Sequence, residues 1–240
     1  MLLLRWGLMR LEIHFYGGGG FAPDAGVKIS LDKLFENYRD IKNDGPDNIS
    51  VDGTMAYFAA LGVDLQDASM CVPMEIVQAP TVGEMSRKGF VDGWTAIGAE
   101  TIAKQKLYVA QQVKKLSTDM DLFKRVYRHV FITAKEPSQK AISLENAITY
   151  WELLFAPPGK PWATGSTNWL ELWVEFLNAN WTKSVNKDMW NQTFDFSQKV
   201  MQDETLSFWS EDSAWPSVID DFVAYAKQKR GDVAESMETD

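Results

Sequence analysis

The stretch DIKNDGPDNISVDG, residues 40–53, is a polar loop that leads into a short segment of strand-forming character. Apolar residues between positions 31 and 38 share one face of a preceding helix, which Ser30 can cap. An apolar helix over residues 54–61 follows the loop. The sequence therefore predicts a helix, a very short strand and a second helix around this stretch.

The same order of elements follows directly downstream. Residues 67–78 predict a helix, although Pro73 should kink it or end it early. The segment TVGEMS, residues 81–86, predicts a second very short strand, and Ser86 can cap the helix after it. Helix, strand and helix, twice in succession, is the arrangement of a paired EF-hand.

The calcium chemistry of an EF-hand is missing from the first loop. A calcium loop needs oxygen ligands at its positions 1, 3, 5 and 12 and a glycine at position 6. With Ile49 at the hydrophobic eighth position, Lys42 falls at the first ligand position, Pro46 at the fifth, Asp47 at the sixth and Gly53 at the twelfth. We therefore expect a degenerate pair without metal, and the sequence indicates no cofactor.

The rest of the chain predicts a second helical half. A Pro- and Gly-rich loop interrupts it after Phe155, and Pro216 can occupy the first position of the last helix. The predicted helices span residues 101–116, 121–134, 169–178, 187–202 and 217–229, with a further helix that Ser143 caps. We therefore expect an all-α domain over residues 28–230, in which the EF-hand-like pair precedes the second half.

The two ends of the chain are expected to lie outside this domain. Residues 1–27 predict a helix fragment that ends in the glycine linker Gly17–Gly20. Residues 231–240 are polar and predict a disordered tail.

Composition excludes several classes of function. The net charge of −9 argues against nucleic acid as a partner, because phosphate binding needs a basic footprint. The apolar run at the N-terminus is interrupted by Arg5 and Arg10 and is too short for a membrane span. Cys71 is the only cysteine, so no intrachain disulfide can form. An intracellular compartment, cytoplasm or nucleus, is the expectation.

The sequence contains no catalytic constellation. Its two histidines, His14 and His129, are too few for most zinc or general-base sites, and we expect each at a surface or boundary position. We expect Cys71 to be a small buried hydrophobe and not a nucleophile. The sequence therefore favours a binding protein over an enzyme.

The stretch SEDSAWPSVIDDFVAYAKQK, residues 210–229, belongs to an unusually acidic part of the chain. Residues 200–226 contain no Lys or Arg. They contain the six carboxylates Asp203, Glu204, Glu211, Asp212, Asp220 and Asp221. From composition alone, a surface that binds a basic protein and a merely solvated face are equally good interpretations.

Three segments resemble a known family. They are QKAISLENAITYWELL at 139–154, VNKDMWNQTFDFS at 185–197 and EDSAWPSVIDDFVAYAK at 211–227. The sequence resembles the Defective in Cullin Neddylation (PONY-domain) family from about residue 29 to about residue 228. The resemblance implies a scaffold-type co-ligase without catalytic residues. Such proteins hold a conjugating enzyme loaded with the ubiquitin-like modifier Nedd beside a cullin.

The resemblance implies two binding sites. The first takes the C-terminal winged-helix region of a cullin, and the matching positions are Asp188, Ala214 and Asp220. The second is an apolar pocket for the N-terminal peptide of the conjugating enzyme, acetylated or not. The positions that match its lining are Val51, Thr54, Met70, Pro73, Met74, Val77, Val82, Met85, Tyr150 and Leu153. Pro73, Val82 and Thr133 depart from the family's pattern, so we expect a reshaped pocket.

Two further interpretations accompany this resemblance. Residues 6–20 resemble the last helix of a ubiquitin-associated-like domain whose front half is missing, so ubiquitin binding is not expected. The alternative function is a calcium-independent EF-hand-like adaptor, in which a Met-rich groove of Met55, Met70, Met74 and Met85 holds an amphipathic helix. A hydrolase is a weaker alternative, because the sequence offers it neither a metal site nor a nucleophile.

Overall fold

The structure is a computed structural model that describes residues 25–237, with side chains as far as residue 231. The N-terminal helix fragment and glycine linker predicted for residues 1–27 lie almost wholly outside the described residues. The helices are α1 (Ala25–Glu36), α2 (Val51–Leu61), α3 (Cys71–Ile76), α4 (Arg87–Ile97), α5 (Ile102–Lys115), α6 (Met120–Ala134), α7 (Leu144–Leu154), α8 (Trp169–Asn180), α9 (Lys187–Gln202) and α10 (Ser217–Met237). The strands are β1 (Asn48–Ile49), β2 (Met85–Ser86), β3 (Ala141–Ile142) and β4 (Val185–Asn186). The predicted all-α class is confirmed.

The first half is the expected EF-hand-like pair. Strands β1 and β2 run antiparallel, with Asn48 opposite Ser86 and Ile49 opposite Met85. Ile49 and Met85 are buried, so the short ladder joins the two helical hairpins through their apolar faces. Ser86 caps α4 as predicted, since its hydroxyl accepts a hydrogen bond from Gly89 N.

The second half repeats this arrangement, which the sequence did not predict. Strands β3 and β4 pair antiparallel, with Ala141 opposite Asn186 and Ile142 opposite Val185. Each strand has two residues, too few for the alternating pattern by which strands are recognised in sequence. Over residues 25–237 the expected two strands are therefore four, and helix–strand–helix units occur in both halves of the domain.

Three predicted helix boundaries differ from the structure. Ser30 does not cap α1 but lies inside it, and its hydroxyl donates to Gly26 O. The predicted helix over residues 67–78 is divided into a 3₁₀ turn (Ala68–Met70) and α3, which ends at Ile76. Pro73 is the third residue of α3, in a turn where a backbone N–H needs no helical partner. Helix α10 extends to Met237, so the predicted domain boundary at residue 230 falls within a helix.

A buried cluster of aromatic side chains joins α6, α7 and α9. The Tyr127 hydroxyl accepts a hydrogen bond from Trp151 Nε1 and donates one to Trp190 O, each at 2.8 Å. Trp190 Nε1 donates in turn to Tyr127 O at 3.0 Å. The Trp190 ring stacks on Tyr127 at 4.6 Å and on Trp151 at 5.2 Å between centroids. We call Tyr127, Trp151 and Trp190 the aromatic cluster.

The last helix is anchored from another direction. Phe222 of α10 contacts the Trp173 ring at 4.9 Å and the Phe176 ring at 5.5 Å, both on α8. Phe196 of α9 contacts Phe222 at 5.9 Å. Among the described residues, no helix has both the length and the apolar character needed to cross a bilayer.

Removing the Tyr127 hydroxyl tests the aromatic cluster. Tyr127→Phe should lower the free energy of unfolding by about 1–3 kcal/mol, because Trp151 Nε1 and Trp190 O lose a buried partner. Urea denaturation followed by tryptophan fluorescence measures this change.

Tyr38→Phe is the matched control. The half-buried Tyr38 hydroxyl has no hydrogen-bond partner among the described residues, so its loss should change stability by less than about 0.5 kcal/mol. Equal stability of the Tyr127 and Tyr38 variants would show that the buried hydroxyl contributes nothing.

Candidate functional site

Asp220 lies at the edge of the apolar face of α10. Val218, Ile219 and Phe222 on that helix are buried, and Asp220 is half-buried, as the spacing predicts. Trp209 Nε1 donates a hydrogen bond of 2.9 Å to Asp220 Oδ1. The indole therefore holds one carboxylate oxygen of Asp220 in a defined direction.

A cation covers the same indole. Lys227 Nζ lies 4.5 Å from the centroid of the Trp209 ring, within cation–π range. Lys227 follows Asp220 by seven residues on α10, so both are on one side of the helix. The surface around Asp220 is thus not purely acidic. Trp209 and Lys227 were not predicted as site residues, because Trp209 lies in the loop before α10 and no local pattern points to its contact with a helix.

Besides Asp220, two of the six carboxylates in this region are bonded within the fold. Asp203 accepts hydrogen bonds from Thr205 and Ser207, and the bond from the Ser207 side chain is the main cause that lowers the pKa of Asp203 to about 2. Glu204 accepts a bond of 2.8 Å from the Ser166 hydroxyl, and hydroxyls of Thr164 and Ser166 lower the pKa of its carboxyl group. Both side chains stabilise the loop after α9, which leaves Glu211, Asp212 and Asp221 exposed.

The other two predicted cullin-binding positions are also at the surface. Asp188 is exposed in the first turn of α9, and Ala214 is exposed in the turn before α10. The two elements are linked through Phe196, whose ring lies 5.6 Å from that of Trp215. The residues predicted to bind a cullin are therefore accessible.

The residues predicted to line the apolar pocket fall into two groups. Val82, Tyr150 and Leu153 are half-buried, and Val51 is 55% exposed. The others are buried in the core: Thr54, Met70, Pro73, Met74, Val77 and Met85. We call Val51, Val82, Tyr150 and Leu153 the apolar rim.

The rim residues come from three separate elements. A Cβ atom at Gly83 would lie 2.7 Å from the Val51 side chain, so the loop before β2 packs tightly on the start of α2. Burial is the main cause that raises the pKa of Tyr150 of α7 to about 12, and Cys71 of α3 adds to this shift.

Cys71 and His129 are both buried. Burial raises the pKa of the Cys71 thiol to about 12, so the thiolate is scarce near neutral pH and the predicted structural role is supported. The predicted surface or boundary position of His129 is wrong, because the residue is only 5% exposed. Burial lowers the pKa of His129 and outweighs a backbone hydrogen bond with Ala79.

An arginine lies beside the first EF-hand-like loop and binds oxygen atoms of the loop and of α1. Arg87, the first residue of α4, donates through Nε to Pro46 O at 3.0 Å and to Asp47 Oδ1 at 3.2 Å. Its guanidinium also pairs with Asp32 at 3.2 Å and with Glu36, both on α1. Arg87 therefore joins α1, the loop and α4 by charge.

The remaining carboxylates of that loop are bonded to the loop itself. Asp40 accepts a hydrogen bond from Lys42 N, and Asp44 accepts one from Asp40 N, each at 2.9 Å. Among the residues whose side chains are described, no three metal-ligating side chains lie together.

Comparison with known proteins gives one consistent result. A family model described as "Cullin binding" matches residues 104–225. The chain is 42% identical to the "Defective in cullin neddylation protein 1" of Pyricularia oryzae over 240 residues, which cover 95% of this chain and 85% of that protein. It is 33% identical to the protein of the same name in Yarrowia lipolytica, over 82% of this chain and 77% of that protein. It is 31% identical to "DCN1-like protein 3" of Bos taurus, over 89% of this chain and 69% of that protein.

Restoring the missing twelfth ligand should not create a calcium site. A Cβ atom at Gly53 would lie 2.0 Å from the backbone oxygen of Tyr38, so Gly53→Glu forces α2 away from the turn that follows α1. We expect this variant to lose about 2 kcal/mol or more of stability, with no recovery in millimolar calcium. Urea denaturation with calcium or with a chelator measures both effects.

Gly45→Glu adds the same side chain in the same loop and is the control. A Cβ atom there has open space around it, so stability should be nearly unchanged. A Gly53→Glu protein that gains stability as calcium is added would show that the loop can still bind the ion.

Proposed function

Because this chain belongs to the Defective in cullin neddylation family, we propose that it is a non-catalytic scaffold that holds a cullin beside a Nedd-loaded conjugating enzyme. Family membership gives it a role in cullin neddylation, with a cullin as its partner. The match over residues 104–225 includes Asp188, Ala214 and Asp220. The observation that best supports the proposed cullin site is the Asp220 carboxylate, which Trp209 fixes at the protein surface.

The geometry of Asp220 suits a basic partner. A half-buried carboxylate is less hydrated than an exposed one, so a bond to a Lys or Arg of the partner gains more free energy than at a fully exposed site. Such a charge-assisted bond contributes roughly 1.5–3 kcal/mol. Because Trp209 already restricts one carboxylate oxygen, less conformational entropy is lost on binding. Asp188 supplies a second, exposed carboxylate.

The apolar rim is the part of the second predicted site that a peptide can reach. Val82, Tyr150 and Leu153 are half-buried and can cover more apolar surface when a ligand side chain packs on them. The buried methionines behind them are flexible and polarisable, so they can adjust to an inserted methionine. We propose that the N-terminal peptide of the conjugating enzyme binds here.

The arrangement of the two proposed sites supports a scaffold. Tyr150 and Leu153 are on α7 and Asp188 is on α9, and the aromatic cluster joins these two helices. Covalent chemistry is left to the bound partners, which agrees with the inert thiol of Cys71.

The alternative, a Met-rich adaptor, has less support. Met70, Met74 and Met85 are buried, and only Met55 of the four methionines is half-buried. Among the described residues, these methionines therefore do not form an open groove.

Charge reversal at Asp220 should weaken cullin binding strongly. We expect Asp220→Lys and Asp188→Lys each to lower the affinity for a cullin C-terminal fragment by about a hundredfold, since attraction becomes repulsion. Asp220→Asn keeps an oxygen that can accept the hydrogen bond from Trp209, and it should lower the affinity for the cullin fragment by about tenfold. Calorimetric titration measures the affinities, and in vitro neddylation rates should fall in the same order.

Glu136→Lys is the control for net charge, because Glu136 is exposed in the turn after α6. It should leave the affinity within about twofold. If both aspartate variants bind the fragment as tightly as the wild type does, the acidic site does not contact the cullin.

Leu153→Arg should abolish binding of the conjugating enzyme's N-terminal peptide. An arginine that displaces the half-buried leucine leaves its charge unpaired against apolar surface, which costs several kcal/mol. We expect the affinity to fall by about a hundredfold or more, with acetylated and unacetylated peptides compared by fluorescence anisotropy. Met74→Arg is unsuitable, because Met74 is fully buried and the variant would unfold.

Leu107→Arg makes the same substitution at a leucine that is 62% exposed on α5, and it should not affect binding. Both variants should still bind the cullin fragment, which checks that they are folded. A Leu153→Arg protein that binds cullin and also binds the peptide normally would show that the pocket is elsewhere.

A further inference from the structure

A cleft of about 490 Å³ lies between α6 and the start of α9, with the end of α3 beside it. On α6 it is lined by Arg125, Arg128 and Ile132, which share one face because they are three and four residues apart. On α9 it is lined by Lys187 and Asn191, again one turn apart. We call this space the basic cleft.

The charges of the basic cleft are poorly balanced. Arg125 pairs with Glu75 of α3 at 3.4 Å, and Glu75 is the one acidic residue among the described residues that line the cleft. Arg128 and Lys187 are exposed and form no ion pair with any described residue. The chain as a whole has a net charge of −9, so a site with three cations and one acid has the opposite sign to the average surface.

His129 provides an independent sign that the cleft accepts a ligand. It lines the cleft between Arg125 and Ile132 on α6, and only 5% of its surface is exposed. Its Nε2 atom is buried and has no hydrogen-bond partner of normal geometry among the described residues, although the backbone of Ala79 lies near the imidazole. A buried polar nitrogen without a partner is costly, and a ligand oxygen that reaches it through a small movement of the lining would satisfy it.

We propose that the basic cleft binds a carboxylate-bearing peptide segment of a partner protein. Arg128 and Lys187 pair with its carboxylates, and the Asn191 amide and His129 offer further polar contacts. The lining of the basic cleft includes none of the predicted pocket residues, and this proposal does not rest on the proposed function. Asp188 of the proposed cullin site follows Lys187 directly, but adjacent residues on a helix point about 100° apart.

The apolar part of the lining favours a peptide over an inorganic anion. Ile132 is 43% exposed in the cleft wall, beside Arg128, and gives an aliphatic side chain a place to pack. The volume is also far larger than one phosphate needs, and lies in the range of ordinary ligand sites. Acidic residues that alternate with aliphatic ones match both features.

A dye-labelled peptide of alternating Glu and Leu is the probe, titrated with the full chain and followed by fluorescence anisotropy. A peptide with Gln in place of Glu shows whether charge is required, and inorganic phosphate is added as a competitor. Arg128→Glu/Lys187→Glu should lower the affinity by about tenfold or more. Lys114→Glu/Lys115→Glu makes the same change in net charge at two exposed residues of α5 and should lower it by less than about twofold.

His129→Phe keeps a ring of similar size and removes both nitrogens, and should weaken binding by about threefold or more. The proposal is overturned if the acidic peptide does not bind, whether or not phosphate does. It is also overturned if the Gln peptide binds as tightly as the Glu peptide. The same holds if the α5 control weakens binding as much as the cleft variant does. Unchanged affinity in His129→Phe would remove the imidazole from the site and with it the evidence that the cleft is built for a ligand.

Discussion

The hydroxyl of Tyr127 connects three helices of the second half. It accepts from Trp151 on α7 and donates to the backbone of Trp190 on α9, and both bonds are buried. Because a buried polar group without a partner is costly, these helices cannot shift independently without breaking a bond. Helix α7 also contains Tyr150 and Leu153, and α9 contains Asp188. The relative position of the two proposed binding sites therefore depends on one buried network.

The first half has ring contacts too, such as Phe35 with Phe90 at 5.6 Å, and a charged side chain adds to them. Arg87 binds α1 and the loop before β1, and its guanidinium lies 4.5 Å from the centroid of the Phe35 ring. A calcium ion holds an EF-hand only while it is bound, whereas a covalently attached guanidinium is always present and always charged. The EF-hand shape thus persists without its usual switch, which suits a scaffold that presents surfaces at a constant distance.

The sequence allowed helix caps to be predicted, but it did not allow contacts between residues on different elements to be predicted. Ser86 and Ser143 were predicted as caps because a hydroxyl before an apolar helix bonds within its own turn. Strands β3 and β4 are 43 residues apart and two residues long, so neither has a local signature. The bond from Trp209 to Asp220 crosses the loop before α10, and only the folded chain reveals it. The burial of His129 likewise depends on how α6 packs, which its arginine neighbours do not indicate.

Residues 200–226 present less free negative charge in the folded protein than their sequence indicates. Thr205, Ser207 and Ser166 bind Asp203 and Glu204, and Trp209 directs Asp220, so a count of carboxylates overstates the free negative charge. Helix α9 then presents Asp188 on one side and Lys187 with Asn191 on another. Opposite charges on adjacent sides of one helix discriminate between orientations of a partner more than they add to its affinity. A partner protein whose basic face contacts Asp188 can place only an acidic part of its surface against the basic cleft. This constraint would limit how a cullin at the proposed acidic site can be placed relative to a peptide at the proposed site on α7.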